Sequence, residues 1–144
     1  MYNWDTVNTG KLAPTGWHVP TDTEWKTLEN YLIANGYNFD LSTQDDYFAK
    51  SLAATTNWAV NTDTEGDIGN DLTTNNSTGF SALPGGWRGD GNFYNAGTEA
   101  FFWSSSEGDV YTAGDRYLVY NSSNMFRNFG SKFFGYSVRC VRDN

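Results

Sequence analysis

The residues best suited to chemistry gather late in the chain. Between Tyr111 and Phe134 the sequence interleaves rings with short polar side chains: Tyr111, Asp115, Arg116, Tyr117, Tyr120, Asn121, Ser122, Asn124, Phe126, Arg127, Asn128, Ser131, Phe133 and Phe134. Rings bury large areas at small entropic cost, and Asn, Ser, Asp and Arg supply adaptable hydrogen bonds. The segment therefore reads as a ligand-binding surface for a protein, peptide or carbohydrate. The plainer reading turns Tyr117, Val119 and Phe129 inward and leaves ordinary loop tips.

A second constellation is the acidic loop holding Asp63, Glu65, Asp67 and Asp71. Carboxylates and carbonyls suit Ca²⁺, a hard ion that takes six to eight oxygens, although the spacing is not that of an EF-hand. A solvated acidic loop is the alternative. Against catalysis, His18 is the only histidine and Cys140 the only cysteine. Multi-histidine metal sites, two-cysteine redox motifs, cysteine-rich zinc sites and an intramolecular disulfide are thereby removed. No G-x-S-x-G elbow recruits His18, which reads as structural between Trp17 and Val19, and Cys140 reads as a buried structural thiol. None of the acidic residues lies in a distinctive paired-carboxylate motif. Gly85-Gly86 lacks a lysine at Walker spacing and reads as a positive-φ turn or close chain approach beside Trp87. The expectation is a binding protein without a cofactor, not an enzyme.

The elements that must position these residues are legible in part. Thr21 and Glu24 form a capping box, Trp25, Leu28 and Leu32 follow at helical spacing, and Gly36 supplies the stop. Phe48 and Leu52, four apart, predict a second helix from about Thr43 to Ala54. Residues 55–79 lose helical periodicity and read as a long structured loop. Strands are expected in 79–88, in Phe93-Tyr94 after a Gly89-Asp90-Gly91 turn, and at Ala100–Ser105, Arg116–Tyr120 and Tyr136–Val141. The fold class is α+β, with two N-terminal helices packed on a short-stranded antiparallel sheet with long loops.

At 144 residues the chain fits one domain, residues 1–144. Only 18% of residues are charged and 17% are aromatic, so Asn, Ser, Thr and Gly must furnish much of the polar surface, as in exported β-rich proteins. A net charge of −8 with no basic cluster argues against nucleic acid. No apolar run reaches membrane-spanning length, so direct membrane insertion is not expected. The opening Met1-Tyr2-Asn3-Trp4-Asp5 does not read as a signal peptide, and an exported parent would make this chain a trimmed piece.

Four stretches carry a family resemblance: Gly16-Trp17-His18-Val19-Pro20-Thr21-Asp22 with Glu24-Trp25, Gly79-Phe80-Ser81-Ala82-Leu83-Pro84-Gly85-Gly86, Phe102-Trp103-Ser104-Ser105-Ser106-Glu107, and Gly135-Tyr136-Ser137-Val138-Arg139-Cys140-Val141-Arg142-Asp143. Together they resemble the Fibrobacter succinogenes major paralogous domain family. The resemblance implies a C-type-lectin-like fold in exported bacterial proteins and lipoproteins, hence an extracellular or cell-surface location. It also implies a cysteine before Pro14, where this chain has Ala13, so Cys140 is expected as a free thiol. Such domains resemble the variable proteins of diversity-generating retroelements, whose C-terminal segment carries a diversified ligand surface. Residues 111–134 are dense in the types that such diversification yields. A structural module of a cell-surface protein is the alternative. Formylglycine-generating enzymes share the broad fold but depend on a cysteine pair that this chain lacks. On this reading Trp17, Trp25, Phe80, Trp87, Trp103 and Val138 form one scaffold cluster beneath the ligand face.

Overall fold

The computed structural model describes residues 1–143. Its centre is an antiparallel meander of β4 (Glu99–Glu107), β5 (Thr112–Val119) and β6 (Met125–Ser131), in that spatial order. The register pairs Phe101 with Tyr117 and Tyr117 with Phe126, and one residue further Phe102 with Arg116 and Arg116 with Arg127. Because side chains alternate across a pleat, these two rows lie on opposite faces. Two short ladders complete the β structure. The first joins β1 (Trp17–His18) to β7 (Val141–Arg142), and the second is the hairpin of β2 (Trp87–Gly89) and β3 (Asn92–Tyr94). Helices are few and strands short and antiparallel, a mixed α+β architecture.

Helix α1 (Trp4–Asn8) was not foreseen from the sequence; its Asn3 cap accepts from the Thr6 N–H, and Trp4 and Val7 are buried. Helix α2 (Asp22–Ala34) follows the capping box as expected. The Thr21 hydroxyl accepts from the Glu24 N–H while Glu24 Oε2 accepts from the Thr21 N–H at 2.8 Å. Its end closes with the Tyr37 N–H reaching back to the Leu32 carbonyl at 3.1 Å.

The helix expected over Thr43–Ala54 shrinks to one turn, α3 (Ala49–Leu52). The cause is competition for backbone partners. The buried Asn38 amide donates to the carbonyls of Ser42 and Asp45, at 2.9 and 2.7 Å, and the Ala49 N–H goes to Ser123 O at 2.9 Å. The bond from Ala49 to Asp45 that an earlier helical start requires is thus replaced at both ends. The strand expected over 79–88 is confined to Trp87 onward, with Ala82 making a lone bridge to Ala53. That expected over Tyr136–Val141 is reduced to bridges at Tyr136 and Ser137 and the short β7. Strand β6, conversely, was hidden inside the segment read as ligand surface.

Each face of the meander has its own core. On the α2 side Trp25, Leu32, Phe48, Leu52, Trp58, Ile68, Phe102 and Leu118 are buried with Phe80 against them. On the other side Trp4, Val7, Val19, Trp103 and Tyr136 pack with Trp87, Phe134 and Val138. The expected single scaffold cluster is therefore two clusters divided by the sheet, and Trp17, 45% exposed, belongs to neither. Two indole bonds tie the N-terminal segment to the second core: Trp4 Nε1 donates to Ser104 O at 2.9 Å and Trp103 Nε1 to Tyr2 O at 2.8 Å. Gly86, at φ 65°, brings the chain so close to β3 that a Cβ would sit 2.0 Å from Tyr94 O, the close approach expected of the glycine pair.

Candidate functional site

The meander carries a ladder of rings on the face opposite α2. Phe126 on β6, Tyr117 on β5 and Phe101 on β4 stack at centroid separations of 4.9 and 5.0 Å, with interplanar angles of 19° and 17°. These spacings equal the distance between neighbouring strands, so the backbone itself sets the stack. Tyr136 continues it 4.7 Å from Phe101, and Trp103 lies 4.2 Å beyond. Phe134 joins Tyr136 to Trp87, which stacks on Tyr94 at 4.5 Å. Tyr136 and Trp103 are buried, whereas Phe126, Tyr117, Phe101, Phe134 and Trp87 are half-buried and Tyr94 is exposed. One continuous chain of rings thus runs from the edge strand β6 to the β2–β3 hairpin, passing through the buried Tyr136.

Asp115 sits in this face beside the ladder and is wholly buried. Its Oδ2 accepts from the Asn128 amide at 3.3 Å, and Oδ1 has no partner. Burial pushes its carboxyl up to about 6, against the Gly130 N–H, the Asn128 amide and the Arg116 charge, which pull it down. Gly130 is required here because a Cβ would stand 2.7 Å from the Tyr136 hydroxyl and 2.9 Å from Asp115 Oδ2. Burial also raises the Tyr136 phenol, with the Asp115 charge adding to it.

The other face is an ion-pair cluster. Arg116 is fully buried; its Nε donates to Glu29 Oε1 at 2.5 Å and Nη1 to Asp22 Oδ1 at 2.8 Å. Arg127 donates to the same Asp22 oxygen at 2.9 Å. Burial acts to raise the Asp22 carboxyl, but the hydrogen bonds from Arg127 and Arg116 hold it below the usual range.

The expected surface over 111–134 is consequently divided. Tyr117, Phe126 and Asn128 share the ring face, with Phe134 beside it. Asp115 and Arg116 are at zero exposure, which corrects their expected place on an outer ligand surface: a two-residue period cannot turn a whole segment outward. Arg127, half exposed, points to the α2 side. Tyr120 packs against the first core and the Ser122 hydroxyl caps the Asn124 N–H at 3.1 Å, while Asn124 donates to Asp46 Oδ1 at 2.5 Å. Tyr111 and Phe133 are 71% and 80% exposed, Asn121 is exposed, and Ser131 ends β6 half-buried. Phe101, Trp87 and Tyr94 were not identified as site residues, since the cross-strand register that recruits them is invisible in a linear reading.

The acidic loop is organised around a cation of the chain's own. Lys50 Nζ donates to the carbonyls of Asp67, Asn70 and Asp71. Asp67 turns aside to the Asn61 amide at 2.6 Å, and Asp71 caps the 3₁₀ turn Leu72–Thr74 through the Thr73 N–H and hydroxyl. Among the described residues no three carboxylate, histidine or cysteine side chains converge as metal ligands, so Asp63, Glu65, Asp67 and Asp71 do not form the shared coordination set expected of them. His18 is bonded at both nitrogens, Nδ1 to Asp143 and Nε2 to Glu24, each at 2.7 Å, which knits the first motif to α2 and to the last residues. Cys140 is free and half-buried, more open than a structural thiol in a core.

The family model of the Fibrobacter succinogenes major domain matches residues 1–142, and the chain belongs to that family. No curated protein and no solved structure matches it.

Proposed function

We propose that this chain is a non-catalytic ligand-binding module of C-type-lectin-like fold, exposed on or outside the cell, that takes a protein, peptide or carbohydrate ligand on the ring face of its meander. The observation that carries this reading is the ladder Phe126–Tyr117–Phe101, half-buried and set by strand register. Rings already ordered by their neighbours lose little entropy on binding, so burial of their exposed edges converts efficiently into affinity. Phe126 ends the ladder on an edge strand, which leaves its outer face to a sugar ring or a partner's side chain. The Asn128 amide lies on the same face as a polar anchor.

Support for a non-enzymatic role comes from His18, whose two nitrogens are both engaged by carboxylates. A diversified surface remains part of the proposal in narrower form, with variation tolerated at Tyr111, Asn121 and Phe133 and barred at Asp115 and Arg116. The structural-module alternative draws on exposed Phe93 and Phe133, 68% and 80% accessible, which suit packing against a neighbouring domain. A panel of glycans and displayed peptides, screened against wild type and Tyr117→Ser and Phe126→Ser variants, tests the proposal. Binding lost in both variants with melting retained supports it; ligands that bind all three proteins equally refute it.

A further inference from the structure

The meander treats its two edges differently. The β4 edge is covered, because Ser137 gives its N–H to Phe101 O and takes the Trp103 N–H, each at 3.0 Å. The β6 edge is open. The Lys132 N–H donates to Tyr111 O at 2.9 Å, and from that rung every second residue, Gly130, Asn128 and Phe126, turns its backbone toward β5. Ser131, Phe129 and Arg127 alternate with them and turn theirs outward, where the Ser131 carbonyl takes the Phe134 N–H at 2.9 Å. Among the described residues no hydrogen bond reaches the outward N–H or C=O of Arg127 or Phe129, and Arg127, Asn128 and Phe129 are exposed.

Such an edge is ordinarily blocked by a proline, a lysine or a bulge. None lies in β6, whose register with β5 runs unbroken from Met125 to Ser131. Its one charge is folded back on the chain's own surface: Arg127 Nε bonds Asp22 Oδ1 at 2.9 Å and the guanidinium lies 4.8 Å over the Phe129 ring. We propose that β6 pairs with β6 of a second copy, antiparallel about a two-fold axis through Asn128, so that two meanders form one sheet. Register selects the axis. Outward-turned residues must face one another, which places the axis at Arg127, Asn128 or Phe129. At Arg127 it sets two arginines opposite each other, and at Phe129 it spends rungs on Ser131, whose carbonyl is already taken. At Asn128 it sets Arg127 opposite the partner's Phe129, a cation and a ring of the kind that already associate within the strand. Phe126 then lies opposite the partner's Gly130, which has no side chain to collide with it, and the two ring faces join on one side of the sheet.

The test follows the mass of the chain by sedimentation equilibrium from micromolar to millimolar concentration, at physiological ionic strength because each copy carries a net charge of −8. Amide exchange is read in the same samples. We expect a monomer–dimer equilibrium in which the amides of Arg127 and Phe129 gain protection with concentration, while the β5-facing amide of Asn128 changes little. Phe129→Lys sets like charges opposite each other across the seam and should weaken the pair about tenfold. Phe129→Glu sets a carboxylate opposite the partner's Arg127 and should hold the pair within about threefold of wild type. The melting temperature of the dilute chain checks that both variants fold. Equal weakening by both folded variants, or a dimer that leaves the amides of Arg127 and Phe129 unprotected, overturns the proposal. A chain that stays monomeric throughout overturns it as well, in favour of another protein's strand if an added β-forming peptide protects the same two amides.

Discussion

Arg116 and Glu29 stand 87 positions apart in the chain and meet inside it, guanidinium Nε to carboxylate Oε1 at 2.5 Å, with the arginine wholly buried. The pair pins α2 to the central strand of the meander, and Asp22 extends the pin to Arg127 on the edge strand. Removing one partner leaves the other charge buried without compensation. Arg116→Met is therefore expected to cost about 3–5 kcal/mol in urea unfolding, while Arg116→Met combined with Glu29→Leu recovers much of that loss. If the double variant is no more stable than the single one, the pair is not the source of the effect.

Asp115 predicts a pH dependence of the opposite sense to a salt-bridged carboxylate. Its folded value lies near 6, above the ordinary 3.8, so the folded state holds the proton more tightly. Stability contributed by this group is present below the unfolded value and declines as pH rises from about 4 to about 6. Asp115→Asn should flatten that slope and gain up to about 3 kcal/mol at neutral pH. An unchanged slope in the variant would place the titration elsewhere.

His18 acts in a separate window. Its hydrogen bonds to Asp143 and Glu24 raise it above 6.5, so its stabilisation is complete below that value and fades as pH climbs through the raised one. His18→Gln should remove the part of the melting-temperature slope above pH 6.5 and, by taking away a hydrogen bond that holds Glu24 low, also reduce the slope on the acid side. A slope that persists in the variant counts against the assignment.

Lys50 fills the carbonyl cage of the acidic loop, so addition of calcium or of chelator should leave the melting temperature of the wild-type chain unmoved. Lys50→Met strands three carbonyls that the ammonium now serves and should cost about 1–3 kcal/mol. A calcium-dependent rise in the wild-type midpoint would show that the loop recruits an ion despite the lysine.

How far the sequence foretold this arrangement depended on the range of the interaction. The capping box of Thr21 and Glu24 and the Asp90-Gly91 turn of the β2–β3 hairpin are written within a few residues, and both form as read. The helix expected from Thr43 failed because its backbone partners were taken by Asn38 and by Ser123, neither of them its neighbour in a periodic pattern. The rings in 111–134 include Tyr117 and Phe126, which stack in the ladder, but only register reveals that Phe101 completes it. The same register turns Arg116 into the core, and no local rule distinguishes a buried arginine from a ligand-seeking one until its carboxylates arrive from α2.

The pairing of β1 with β7 also has a mechanical consequence. Trp17 faces Arg142 and His18 faces Val141 in antiparallel register, so a pull applied beyond β7 meets the Asp143–Gly16 bond and then the Trp17–Arg142 rung. The ladder is loaded in the peeling direction, one rung at a time, the geometry that resists force least. Pulled from beyond β7, the protein yields first along this seam and frees Asp143 from His18, while the meander and its ring ladder keep their registers.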